Sequence, residues 1–197
     1  MQKKVHFIGR DSCCWFLYNN IATGKRFIVT DQGGLMGLLQ VGENAPDFKV
    51  KDHTGKDVQL YGLRGKTVVL WFYPKANTPG WTAEGRGFRD LISDYEQKNV
   101  QVLGVSFDTV EDNAAFAKKF DFPFPLLCDT NREIGMKYGA CDSPTAEYAK
   151  RITFVVDEEG KISQVYGKVN PANHPAELLA VLWVTETRNT LKIRKEH

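Results

Sequence analysis

No apolar run in this 197-residue chain approaches the roughly 20 residues that span a bilayer, and the longest, around Cys13 to Tyr18 and Thr67 to Tyr73, fall far short. A soluble protein with no membrane partner is expected. Cysteine is scarce: the four, at 13, 14, 128 and 141, fit neither a disulfide framework nor a zinc site, because Cys13-Cys14 is vicinal and the other two stand alone. That spacing predicts a reducing, cytoplasmic compartment. A C-x-x-C pair is missing, which excludes a thioredoxin-type disulfide reductase. His6, His53, His174 and His197 have no metal-ligand spacing and read as surface residues, so neither metal nor cofactor is expected. Charge of one sign is lacking too. The net +2 comes from the ends, leaving a mildly acidic middle that argues against a nucleic-acid partner. The N-terminus has no basic region followed by a clean apolar stretch and cleavage site, and is too poor in Ser and Arg for a convincing transit peptide.

What remains is ordinary globular composition, 42% hydrophobic and 25% charged, in one α/β body. Phe48 to Val50 and Val58 to Leu60 flank a turn-rich tip and predict an N-terminal β-hairpin. Thr67 to Tyr73, β-branched and aromatic without alternation, reads as a central strand covered on both faces, ended by Pro74. One helix is predicted to carry Phe88, Leu91, Ile92 and Tyr95 on a stripe. Val100 to Phe107 follows as a strand, then a helix over 111–120, a short strand over 125–127 and a helix over 131–138. Strands over 153–156 and 162–169, joined by Asp157-Glu158-Glu159-Gly160, precede a helix over 175–183. This order predicts a mixed sheet with helices on both faces. Residues 1–40 are assigned to an N-terminal extension of unknown status, without clear periodicity over the first 35. Residues 41–183 form the domain, and 184–197 a basic, frayed, solvated tail.

The stretch PKANTPGWTAEGRGFRD, residues 74–90, runs from a strand end through Thr78-Pro79-Gly80 into a helix whose first turn presents Trp81. A helix N-terminus suits an anion, because its backbone N–H groups are unpaired. Structural roles are available throughout. Thr78 before Pro79 fits an N-cap, Trp81 extends the Phe88 stripe by seven residues, Arg151 fits a surface charge at a strand start, and Pro74 ends a strand. Cys128 reads as a small core hydrophobe, and Cys141, in a loop, as the one redox-capable thiol.

Four segments, VGENAPDF, FYPKANTPG, FPFPLLCDT and KRITFVVDEEGKI, resemble the peroxiredoxins, in the bacterioferritin-comigratory or Q-type branch, over residues 41–183. The family motif Pro-x-x-x-Thr-x-x-Cys falls on Pro74, Thr78 and position 81, and the family's distant arginine on Arg151. The resemblance implies a thioredoxin-like fold with a mixed central sheet flanked by helices. It implies thiol-dependent, thioredoxin-linked reduction of hydrogen peroxide and organic hydroperoxides, without a cofactor, by a monomer or homodimer. The nucleophile would be activated by the helix end and Arg151, the peroxide oriented by Thr78, and water shielded by Pro74.

Trp81 occupies the nucleophile's position, and Arg86 the place where many Q-type members keep a resolving cysteine. Indole cannot attack peroxide. Three readings follow. In the first, residue 81 is Cys or selenocysteine in the cell: these codons and that of tryptophan all begin UG, and UGA read outside its recoding context is written as tryptophan. In the second, the chain as written is a peroxiredoxin-like binding or interaction module without activity. The third moves the nucleophile to Cys141. The glutathione peroxidases share the chemistry but not the TPG turn.

Overall fold

The computed structural model describes residues 38–76, 79–167 and 169–193, together with the backbone at 6–7, 15–20 and 25–30; the side chains of 79–81 and of 184–193 lie outside the description. In chain order the strands and helices are β1 (His6–Phe7), β2 (Trp15–Asn20), β3 (Lys25–Thr30), β4 (Lys49–Lys51), β5 (Asp57–Gln59), β6 (Thr67–Phe72), α1 (Pro79–Asp90), α2 (Ile92–Gln97), β7 (Val100–Ser106), α3 (Val110–Phe120), β8 (Leu126–Cys128), α4 (Glu133–Tyr138), β9 (Ile152–Val156), β10 (Ile162–Tyr166) and α5 (His174–Ile193).

β6 is the centre of a five-stranded sheet ordered β10-β9-β6-β7-β8. β6, β7 and β8 run parallel, while β9 is antiparallel to β6 and β10 to β9. The continuous apolar run of β6 has its predicted cause, since every residue after Thr67 is buried. Successive side chains enter opposite layers. Val68, Leu70 and Phe72 meet Phe48, Ile134 and Tyr138 on one face; Val69 and Trp71 meet Phe88, Tyr95, Phe116 and Leu178 on the other. Each large side chain so buried contributes about 1.5–3 kcal/mol of hydrophobic stabilisation. Among the described residues, no helix is long and apolar enough to cross a membrane.

The predicted hairpin is present as β4 and β5, with Val50 opposite Val58. At its tip the Asp52 carboxylate accepts from the N–H and hydroxyl of Thr54 and from the N–H of Lys56. His53, expected on the surface, is half-buried and fills a backbone role. Its N–H donates to the Leu126 carbonyl at 2.8 Å, and its Nδ1 accepts the Leu126 N–H at 3.1 Å, along the outer edge of β8.

Three further boundaries differ from the sequence expectation. The stripe Phe88-Leu91-Ile92-Tyr95 is divided between α1 and α2, with Leu91 at the junction (φ −106°, ψ 7°). The N–H groups of Asp94 and Tyr95 both turn back to the Leu91 carbonyl, and the Tyr95 hydroxyl donates to the Pro175 carbonyl at 2.6 Å. Helix α5 continues past Trp183 to Ile193, into the segment expected to be a frayed tail. Within the extension, β1, β2 and β3 make an antiparallel sheet of their own, with Trp15 opposite Thr30 and Phe16 opposite both Phe7 and Val29. Aromatic and β-branched residues in WFLYNN and KRFIVT supply strand propensity without a regular apolar period.

Candidate active site

The parallel strands β6 and β7 end side by side, and the segment leading to α1 is tied to that end. Tyr73 prolongs the ladder by one bond, its N–H donating to the Val105 carbonyl at 3.0 Å, before half-buried Pro74 turns the chain away. The N–H of Ala76 donates to Asp108 Oδ2 at 2.8 Å. Beneath it the Tyr73 hydroxyl donates to Asn113 Oδ1 at 2.7 Å, and the Asn113 amide donates to Ser106 Oγ at 3.1 Å and Cys128 Sγ at 3.3 Å. All four side chains are buried, and burial pushes the Tyr73 phenol well above its ordinary pKa. Tyr73, just after β6, thus joins one member each from β7, β8 and α3 in a hydrogen-bonded polar network.

Beyond the loop, the backbone of Trp81 lies in the first turn of α1. Its side chain, and Thr78 altogether, lie outside the described residues. Half-buried Arg151 immediately precedes β9, the strand next to β6. Its charge reaches α1: it lowers the proton affinity of the Glu84 carboxyl, one turn after Trp81, against the larger opposing effect of burial. Of the four residues singled out from the sequence, Pro74 and Arg151 are therefore described with their side chains, and Trp81 by its backbone.

Glu84 was not singled out from the sequence. It is 0% exposed, and neither carboxyl oxygen has a hydrogen-bond partner; the nearby Trp71 indole N–H is likewise unpaired, close to the carboxyl but outside hydrogen-bond geometry. Burial raises the Glu84 pKa to about 7. The available signal was its i, i+3 spacing from position 81, which places both on one helix face.

The match to known proteins follows this architecture. Residues 41–165 match the model of the AhpC/TSA family. The chain belongs to that family, in its Bcp and peroxiredoxin Q branch. A bcp peroxiredoxin of Coxiella burnetii is 40% identical over 149 residues, covering 73% of this chain and 99% of that protein. Peroxiredoxin Q of Triticum aestivum chloroplasts is 33% identical over 163 residues, covering 82% and 75% respectively. The crystal structure of peroxidoxin BcpB from Mycobacterium tuberculosis superposes with a TM-score of 0.69 at 33% identity, over 74% of this chain and 97% of that one. The fold is thioredoxin-like, with a mixed central sheet flanked by helices, as the resemblance implied.

Among the described residues of this peroxiredoxin fold, Cys128, Cys141 and His174 take buried places. Cys128 is buried in the Asn113 network and behaves as the expected core residue. Cys141, expected to be an available loop thiol, is also buried, its Sγ against Gly135, and burial raises its pKa away from the thiolate form. His174, expected on the surface, is buried at the start of α5 with Nε2 3.0 Å from Thr153 Oγ1, and burial lowers its pKa to about 4.

Proposed function

We propose that residues 41–183 form a thiol-dependent peroxidase acting on hydrogen peroxide and organic hydroperoxides, with a cysteine or selenocysteine at position 81 in the cell. Pro74, Thr78 and Arg151 complete the site, and thioredoxin or another small thiol is the reductant. Membership of the Bcp and peroxiredoxin Q branch supports the reaction class. The observation that carries the reading is strand register: Ile152 pairs with Phe72, so half-buried Arg151 stands at the end of β6 from which the chain enters α1, the helix that presents residue 81.

The steps follow from these parts. A thiolate or selenolate attacks one peroxide oxygen; the new S–O or Se–O bond forms as the O–O bond breaks, and the departing hydroxide or alkoxide takes a proton. One reductant thiol displaces water from the oxidised residue to form a mixed disulfide or selenenyl sulfide, and a second releases the nucleophile as the oxidised disulfide leaves. The α1 N-terminus and Arg151 hold the attacking group as an anion, and backbone N–H groups receive charge on the leaving oxygen. A monomer or homodimer in the cytoplasm completes the proposal.

The test is peroxide consumption with added thiol by W81C, beside W81S and W81C/R151A, with the codon for residue 81 and the intact mass of protein from its own source. Activity in W81C alone, weakened in the double variant, is expected. A folded W81C no faster than W81S would overturn the reading in favour of a binding module built on the same fold.

A further inference from the structure

Glu84 is the strongest anomaly in the described residues: a carboxyl 0% exposed, with neither oxygen hydrogen-bonded, beside an indole N–H that is also unpaired. We propose that Glu84 is a positioning residue that holds a proton, so that the charge of Arg151 is left to the anion at residue 81. The inference rests on the proposed nucleophile at that position.

The chemistry of burial supports it first. An ionised carboxylate without hydrogen bonds inside a protein is costly, whereas the neutral acid is far cheaper to desolvate. Consistent with this, burial raises the carboxyl to about 7, against the smaller opposing pulls of the nearby Trp71 indole N–H and of Arg151. Placement supplies the second argument. Positions 81 and 84 are separated by i, i+3 on α1, so two anions there would repel each other and divide one cation between them.

Among the described residues, the elements around Glu84 present the following groups. Trp71 of β6 carries no titratable group. The Phe122 ring lies against Gly85 from the far side. From α5, Pro175 meets Gly87, and His174 lies against Phe88 with Nε2 toward Thr153, neutral above about pH 4. On α1 itself, Arg86 lies over the Phe120 ring, and Arg89 donates to the Phe120 carbonyl and to Asp90. At the loop, Asp108 receives the Ala76 N–H.

Two measurements test the proposal. In the chain as written, the infrared carbonyl band of protonated carboxyls should contain an E84Q-sensitive part at pH 6 that fades toward pH 8.5, over a part that E84Q leaves in place, since burial also raises the Asp129 carboxyl to about 6. In W81C, iodoacetamide labelling of the introduced thiol against pH should show two steps, because thiol and carboxyl titrate as a coupled pair; W81C/E84Q should show one. Peroxide reduction by W81C should fall above pH 7, and at pH 8.5 E84Q should restore it by about three- to tenfold, the order expected when about 1 kcal/mol of interaction with the cation is regained. E84M, neutral and of similar length, replaces E84Q if the latter does not fold. No E84Q-sensitive band, or identical labelling profiles with and without Glu84, overturns the inference. If W81C consumes no peroxide, the functional reading fails, and the band and labelling profiles still decide the role of Glu84.

Discussion

The hydroxyl of Tyr73 donates to Oδ1 of Asn113 at 2.7 Å, joining the end of β6 to α3 inside the protein. Asn113 also serves Ser106 and Cys128, so one side chain satisfies three buried groups from three elements. Asn113→Ala removes all of these partners while leaving the Tyr73 and Ser106 hydroxyls in place. A loss of about 2–4 kcal/mol is expected, because stranded buried polar groups cost more than the mean worth of a hydrogen bond. Urea unfolding of N113A beside the parent measures it, and a midpoint within error of the parent would contradict the network.

Glu84 and His174 predict opposite pH dependences of stability. The Glu84 pKa is raised from 4.5 to about 7, so the folded chain keeps a proton that the unfolded chain has lost. Its contribution is fully present below pH 4.5 and is lost as pH rises through 7. The His174 pKa is lowered from 6.5 to about 4, so its contribution is present above pH 6.5 and is lost as pH falls through 4. E84Q should match the parent near pH 4 and exceed it at pH 8, by on the order of 3 kcal/mol. Melting temperatures at pH 4, 6 and 8 provide the check; an E84Q advantage that is equal at all three would be inconsistent with a buried, titrating carboxyl.

Cys128 and Cys141 should resist alkylation in the folded protein at pH 7.5 and react readily in denaturant, as buried thiols with raised pKa values do. Peptide mapping by mass spectrometry separates them from the cysteines of the N-terminal extension. Rapid labelling of Cys141 in the native state would revive the reading in which it carries the chemistry.

The sequence carried the central sheet because TVVLWFY has no polar interruption and so needs cover on both faces, which β6 receives. Helix ends were harder to place. The stripe through Leu91 fits a single helix, and the division there depends on partners distant in sequence, above all Pro175, which takes the Tyr95 hydroxyl. The same limit applied to the site. Pro74 and Arg151 are found from local motifs, whereas Glu84 matters through its burial against Trp71 and the charge of Arg151, which only packing brings together. His174 was misplaced because a histidine before a helix is ordinarily solvated, and only the layer of Phe88 and Tyr166 encloses it.

The histidine at the tip of the β4–β5 hairpin has a consequence for how these molecules meet one another. An outer strand offers unpaired backbone groups on which a second chain can grow a sheet. At Leu126 both groups are already occupied, the carbonyl by the His53 N–H and the N–H by His53 Nδ1. A foreign strand would have to displace an imidazole before it could template on β8. That guard depends on the ring remaining neutral, since a protonated imidazole cannot accept a hydrogen bond, and burial favours the neutral form by lowering the His53 pKa. Resistance to edge-to-edge pairing is thereby linked to acidity through one imidazole at the border of the sheet.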